Sequence, residues 1–511
     1  MKKQSLIKGT IVLGVAGVFT RFLGLFFRWP IIMLIGDEGV GYYQMSYPLY
    51  MFFIGLATGI PVAISKMISE RNAYKDEAGM LQVMRTAMMT MLILGGGFSL
   101  IFLVFPFQII NLLKWDSKSL YSLMAIGAAP IFISIMSVYR GFFQGMQNMT
   151  PTALSQITEQ VGRVIFGVGL AYILLPKGIE YSAGGAAFGA AGGGMLGAIY
   201  LSSQYRKFRK NFKAKKVGNT EKVLSELLSI AIPISLGAAV STIMNVIDSI
   251  LVPQKLLVAG YSYKEAAIIY GQLTGKAMVI INVPLTLSIA LSASLVPIIA
   301  EAKLLNRKLE LMNKVEMAIK TSIVIALPSL CGLFFLSYQV LSLIFLGHSE
   351  GYQILKYASL SIPFIILTQT TTSILQGTGN YIKPIINLAI GCIIKIIITL
   401  ILVPMPQFNI YGAVIASLAA YFITTILNII ELHKKLGIRI NYYETIIKPA
   451  YASVIMIIGV VFIYKYVYNN TMSNSIASLI SIGLGGIFYI GMIIFLKVFE
   501  YGYVKNKLLK R

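Results

Sequence analysis

Long apolar runs separated by short, mostly basic polar stretches fill the chain from end to end. A helix needs about 20 apolar residues to cross a bilayer. Such runs fall at roughly 9–35, 43–65, 86–113, 119–141, 153–175, 183–204, 227–252, 267–299, 317–347, 355–376, 384–404, 411–432, 447–468 and 475–498. The pattern predicts an all-α polytopic membrane protein with about fourteen transmembrane helices. The first run carries Arg21 and Arg28 and is followed by no small-residue cleavage site, so it reads as a span rather than a signal peptide. Pro30, Pro61, Pro130, Pro233, Pro284, Pro297, Pro328 and Pro363 lie inside or near the ends of spans, where each removes a backbone donor and favours a kink. Gly185, Gly189, Gly193 and Gly197 recur every fourth residue of the sixth span, a smooth face for close helix contact.

The same landmarks occur twice. Leu13-Gly14 matches Leu236-Gly237, Pro48 and Pro61 match Pro284 and Pro297, and Arg71 matches Arg307. Gln144-Gly145 matches Gln376-Gly377, Pro151 matches Pro384, and Gly185-Ala186 matches Gly412-Ala413, all at offsets of about 223 to 236 residues. Six spans per copy is an even number, so the copies are parallel repeats. The expected organisation is a six-helix bundle at 1–204, a basic linker at 205–226, a second pseudo-symmetric six-helix bundle at 227–433, and two further spans with a basic tail at 434–511.

Composition agrees with this reading: of 511 residues, 57% are apolar and only 12% charged, with a mean hydropathy of +0.78. Soluble domains are about 25% charged. The 43 Lys and Arg against 19 acids give a net charge of +24. With the amino terminus inside, cytoplasmic segments hold roughly 29 of the basic residues and the other side roughly 7, which obeys the positive-inside rule and puts both termini in the cytoplasm. The densest cluster, between Arg206 and Lys222, joins spans six and seven without interleaved aromatics, so it orients the protein and faces lipid headgroups; no nucleic-acid partner is expected.

Catalytic chemistry is not indicated. Cys331 and Cys392 sit inside apolar runs, His348 and His433 lie far apart, and no metal spacing or nucleophile pattern forms around them. A non-enzyme without metal or cofactor is expected. The informative residues are ionisable groups inside spans, which are costly unless they face a cavity or a partner. Arg21 and Arg28 are seven residues apart on one face of span one, about 10 Å along the axis, and suit a pyrophosphate through bidentate bonds. Glu159 and Arg163 form an i,i+4 pair in span five. Arg163 matches Lys395 in the second repeat, whereas Glu159 matches Gly391, so Asp248 in span seven is the expected partner of Lys395. Lys276 adds a cation in span eight. The intramembrane set is Arg21, Arg28, Arg163, Lys276 and Lys395 against Glu159 and Asp248, a basic surplus that points to an anionic substrate, with the two acids as candidates for proton or monovalent-cation coupling.

Thr20-Arg21-Phe22-Leu23-Gly24, the segment from Tyr139 to Pro151, and the segment from Tyr270 to Lys276 resemble the stage V sporulation protein B family, a polysaccharide-exporter branch of the multidrug/oligosaccharidyl-lipid/polysaccharide flippase superfamily near the lipid II flippases. The resemblance implies a flippase that moves an undecaprenyl-pyrophosphate-linked cell-wall precursor across the cell membrane by alternating access, in spore cortex synthesis or a related process, alongside cell-wall synthesis enzymes. It implies pyrophosphate-binding arginines, with Arg21 in the matching Arg-x-Leu-Gly context and Arg28 one position from the second. A further arginine of span two has no counterpart between Pro48 and Ala63, and the positions of a sodium site in some relatives fall on Asp248, Lys395 and Thr399. Two alternatives stand beside this reading: an ion-coupled multidrug antiporter, which should show an acidic cavity, and a non-transporting membrane scaffold for cell-wall enzymes.

Overall fold

The computed structural model describes residues 6–210, 212, 221–305, 307–437 and 441–499; within these it does not describe the side chains of 6–11, 18, 21, 22, 25, 221, 240, 241 and 293. The described chain is helical, with no strand. Its α-helices are α1 (Leu6–Ala57), α2 (Gly59–Ala73), α3 (Glu77–Val104), α4 (Pro106–Leu113), α5 (Leu120–Gly127), α6 (Ala129–Gly145), α7 (Thr150–Leu174), α8 (Ile179–Arg209), α9 (Glu221–Val258), α10 (Tyr263–Gly271), α11 (Met278–Leu304), α12 (Lys308–Phe335), α13 (Ser337–Ile344), α14 (Tyr352–Ala358), α15 (Ile362–Gly377), α16 (Ile382–Leu402), α17 (Asn409–Leu436), α18 (Lys448–Thr471) and α19 (Asn474–Phe495).

Thirteen helical stretches among the described residues are long and apolar enough to cross a membrane, and one of them, Phe26–Ala73, runs for 48 residues. At 1.5 Å per residue that stretch would be about 72 Å long, more than twice the hydrocarbon thickness. It is not straight. Gly36 has φ 60°, a conformation open to glycine, and breaks the helix there. The rings of Phe27 and Tyr43 are 6.3 Å apart, whereas residues 16 apart in a straight helix are separated by about 24 Å. The chain therefore folds back at Gly36 into two crossings, for about fourteen in all. Pro30 and Pro48 lie inside the helical halves, so the sharp break comes from the glycine rather than from either proline.

Helices in the two expected copies correspond in length and order. α3 and α12 each have 28 residues, and both their ends differ by 231 positions; each is followed by an eight-residue helix, α4 or α13. Two long helices close each copy, α7 with α8 and α16 with α17.

Helix α16 shows how a membrane protein distributes its residues. Ile386, Ile390, Ile393, Ile397 and Ile401 are exposed at three- and four-residue spacing, while Asn387, Gly391, Lys395 and Thr399 are buried every fourth residue on the opposite face. In water this arrangement would be inverted; in lipid the apolar face is the solvated one.

The chain divides into two compact units, 1–271 and 272–511. In the first, α7 packs along α8 through the glycine face. A Cβ on Gly185 or Gly189 would come within 2.9 Å of the backbone at Leu170 or Arg163, and one on Gly193 would meet the carbonyl of Glu159. Helix α9 lies against α1 and α2, where Ser235 accepts a hydrogen bond from the Gly59 amide at 3.2 Å. In the second unit, α11, α12, α15 and α17 enclose an apolar core around Ile299, Val315, Ile319, Ile374 and Leu432. α18 and α19 pack on each other, and Tyr489 ties α19 to α12 by donating to the Val324 carbonyl at 2.9 Å.

Candidate substrate site

Ser155, Glu159 and Arg163 recur at four-residue spacing on α7 and so share one face. Arg140 reaches them from α6. Its Nε donates to Ser155 Oγ at 2.9 Å and its Nη2 to Glu159 Oε2 at 2.8 Å. The other carboxylate oxygen, Oε1, accepts from Arg163 Nη2 at 3.5 Å. Glu159 thus lies between two guanidiniums, with only 16% of its side chain exposed. Arg163 also donates to the hydroxyls of Tyr50 at 3.3 Å and Tyr47 at 3.5 Å. Tyr43, Tyr47 and Tyr50 form a ladder along α1 with ring centroids 5.4 and 5.8 Å apart. Arg28, half-buried on the antiparallel half of α1, acts electrostatically on Tyr43 together with Arg163.

The described cluster therefore holds three guanidiniums, Arg28, Arg140 and Arg163, and one carboxylate. One acid offsets one charge. Two positive charges remain in a partly dehydrated setting lined by phenol donors, and planar guanidiniums there suit bidentate binding of phosphate oxygens.

The second unit has a different chemistry at the equivalent positions. Arg140 corresponds to Thr372 and Ser155 to Asn387, both at an offset of 232. There Asn428 bridges the pair: Asn387 Nδ2 donates to Asn428 Oδ1 at 2.8 Å, and Asn428 Nδ2 donates to Thr371 and Thr372 at 3.1 and 3.2 Å. Thr368 and Thr425, 2.9 Å apart, and Ser322 and Thr370, 2.6 Å apart, extend a buried, neutral network. At these two positions the second unit has a hydroxyl and an amide in place of Arg140 and Ser155, while the buried Lys395 stands opposite Arg163.

Arg21 lies on α1, but its side chain is outside the described residues; Gly24, one turn later, faces Gln160 of α7 at 3.6 Å from an added Cβ. Asp248 lies on α9 beside the buried Tyr270. Lys395 is buried on α16, 2% exposed. Lys276 sits in a π-helical turn, Gln272–Ala277, and its ammonium is directed into the loop after α13, 3.2 Å from Glu350 Oε2 and 3.3 Å from the His348 carbonyl. Burial pushes the Glu350 carboxyl up, but hydrogen bonds from its own amide and from Lys276 outweigh this and hold it below the usual range.

Arg140 was not among the expected residues. The i,i+4 rule sees pairs within one helix, whereas this contact crosses a helical hairpin. Its signal is symmetry: Arg140 and Ser155 are equidistant from the turn at Gln147–Asn148.

Comparisons with known proteins place this architecture. The family model for polysaccharide biosynthesis proteins matches residues 6–303. Stage V sporulation protein B of Bacillus subtilis is 31% identical over 454 residues, covering 87% of this chain and 86% of the relative. The lipid II flippase MurJ of the same organism is 27% identical over 459 residues, covering 85% of this chain and 84% of the relative. A solved structure of lipid II flippase MurJ in an inward closed conformation aligns with a TM-score of 0.73 at 17% identity, covering 95% of this chain and 99% of that one, which shows a shared fold. The chain belongs to the polysaccharide biosynthesis protein family, as a multi-pass membrane transporter of the superfamily that includes the lipid II flippases.

Proposed function

We propose that the protein is a flippase that carries an undecaprenyl-pyrophosphate-linked cell-wall precursor, lipid II or a related lipid-linked oligosaccharide, from the inner to the outer leaflet of the cytoplasmic membrane. The observation that carries this reading is the surplus of guanidinium around Glu159. A pyrophosphate brings negative charge and several acceptor oxygens into the membrane, and Arg28, Arg140 and Arg163 offer fixed donors for them. A transporter of cationic drugs would need the opposite sign. The names of the two relatives support a lipid-linked substrate and a role in spore formation.

In this proposal both termini and the basic loops are cytoplasmic, and the repeats 1–204 and 227–433 are the halves of an alternating-access cycle. Arg21 joins the pyrophosphate-binding arginines, Lys395 supplies the cation of the second repeat, and Asp248 and Glu159 are the acids through which a proton or monovalent cation couples to transport. Lys276 has a supporting part, holding the loop at Glu350.

The test is a leaflet-accessibility assay for lipid II in cells depleted of other flippases. Arg163→Ala and Arg21→Ala should each reduce exported precursor by at least tenfold at normal protein abundance, a loss of one charge-assisted contact. Asp248→Asn should stop export without changing precursor binding. Wild-type export by Arg163→Ala would overturn the assignment.

A further inference from the structure

The second unit contains a cavity of about 340 Å³ where the end of α11, the start of α12 and the end of α17 meet. Four cations surround it: Lys303, Arg307, Lys308 and Lys435. Its floor is apolar, formed by Leu311 and Leu436, which pack on the core of that unit. A loop that only orients a protein needs positive charge anywhere along its length. Here the charge converges on a concave site with a hydrophobic base.

The placement of two of these cations is the more telling feature. Arg307 is the residue that caps α12, and Lys308 is its first residue; no side chain caps the helix. The amino end of a 28-residue helix carries partial positive charge, so cations there oppose the dipole. Helix α3 has its bounds 231 positions earlier, so by its bounds Arg307 falls opposite Asp76, rather than opposite Arg71 as the sequence match has it, and Lys308 opposite Glu77; Asp76 caps α3 by accepting from the Gly79 amide at 2.8 Å. Helix α3 is thus capped by its own acid, whereas α12 begins among bases, with Glu310 as the acid of its first turn. The surrounding pairs offset only part of the charge. Glu310 binds Arg307 at 3.3 Å and Lys314 at 2.6 Å, and Lys303 donates to the Thr378 carbonyl at 2.5 Å. Lys308 and Lys435 are exposed at the rim.

We infer that this cavity binds the phosphate headgroup of an anionic membrane phospholipid, with the phosphate at the start of α12 taking the place of Asp76 and the glycerol end of the lipid over Leu311 and Leu436. The ligand is a resident lipid, distinct from the transported precursor. The cavity's position in the cytoplasmic leaflet rests on the orientation proposed above; the binding itself does not.

The test therefore uses the full chain in detergent, where neither orientation nor transport matters. Native mass spectrometry with phosphatidylglycerol or phosphatidylcholine added counts retained lipid, and inorganic diphosphate alone serves as a third arm. The wild type should retain phosphatidylglycerol in preference to phosphatidylcholine. Lys308→Gln with Lys435→Gln should weaken that retention by about fivefold per lysine, while Lys207→Gln with Lys210→Gln, which removes two charges from another basic segment, should leave it unchanged. Both pairs are surface substitutions, and Lys308→Arg with Lys435→Arg should restore wild-type retention. Equal retention of the two lipids would overturn the inference, as would loss in both glutamine pairs alike. Diphosphate binding as tightly as the lipid would overturn it in favour of a soluble anion.

Discussion

At the scale of single residues, the cluster on α7 turns on how one carboxylate divides between two guanidiniums. Glu159 gives Oε2 to Arg140 and Oε1 to Arg163, and the first bond is the shorter, at 2.8 against 3.5 Å. Arg140 therefore holds Glu159 more closely than Arg163 does. Arg140→Ala should lower stability by about 1–3 kcal/mol, the cost of leaving a poorly solvated charged acceptor with a weakened set of partners. Adding Glu159→Gln to that variant should cost less than the sum of the two single changes, because the carboxylate that needed Arg140 is gone. Thermal unfolding of the four purified proteins in detergent measures the cycle; additive losses would show that the pair is not coupled. The sequence carried much of this site. Glu159, Arg163 and their helical spacing were legible because the ionisable residues stand out in an apolar span. Arg140 was not, since its partners lie across a turn. The direction of Lys276 was not legible either: its target, Glu350, is 74 residues away in a loop, and no periodicity links the two.

At the scale of elements, positions that demand glycine explain where helices meet. The glycine face of α8 was visible as a four-residue period, and the structure shows its use: it brings the α8 backbone against the carbonyls of Glu159 and Arg163, fixing the rotation of the helix that bears the cluster. The break at Gly36 falls in the gap between the expected spans 9–35 and 43–65, but the residue that makes it was not legible, because a single glycine of positive φ leaves no periodic trace. Just beyond that break, at the start of the second half of α1, Glu38 gathers several elements of the first unit. Its carboxylate lies 3.0 Å from Lys264 of α10 and 3.7 Å from Lys118, and the Tyr42 hydroxyl is 3.0 Å from it and 3.2 Å from Asp116. Gly41 allows the same stretch to approach the Ala267 carbonyl of α10. Burial would raise the Glu38 carboxyl, but Lys264, Tyr42 and Lys118 together hold it below its ordinary value of 4.5. A depressed carboxyl contributes stability that is fully present above the unfolded value and is lost as pH falls through the lower folded one. The wild type should therefore lose thermal stability on acidification below pH 4.5, and Glu38→Gln should start lower and show a flatter acid limb. An unchanged acid limb in Glu38→Gln would assign the loss to other carboxylates.

At the scale of the whole molecule, the apolar period specified an all-helical membrane protein because each span must satisfy its backbone within itself, whatever its neighbours are. The repeat was legible for a related reason. Prolines, glycines and the ends of spans are set by backbone geometry, so a duplication would keep them at nearly constant offsets, and the bounds of α3 and α12 differ by 231 positions at both ends. Chemistry drifts more freely, and the exchange of Arg140 and Ser155 for Thr372 and Asn387 left no periodic sign of which copy would hold the charge. The proposed orientation rests on a global sum. With roughly 29 basic residues assigned to one side and roughly 7 to the other, moving the richer side outward would carry many more cations across the bilayer against the positive-inside preference. The two native cysteines make this directly testable, since Cys392 is buried, Cys331 lies within α12, and both can be replaced. In a Cys331→Ala, Cys392→Ala background, a membrane-impermeant thiol reagent added to intact cells should label Lys177→Cys and His348→Cys. It should reach Lys75→Cys and Lys435→Cys only after permeabilisation. Labelling of the second pair in intact cells would invert the topology, and with it the leaflet from which Arg28, Arg140 and Arg163 would first meet the pyrophosphate of the proposed substrate.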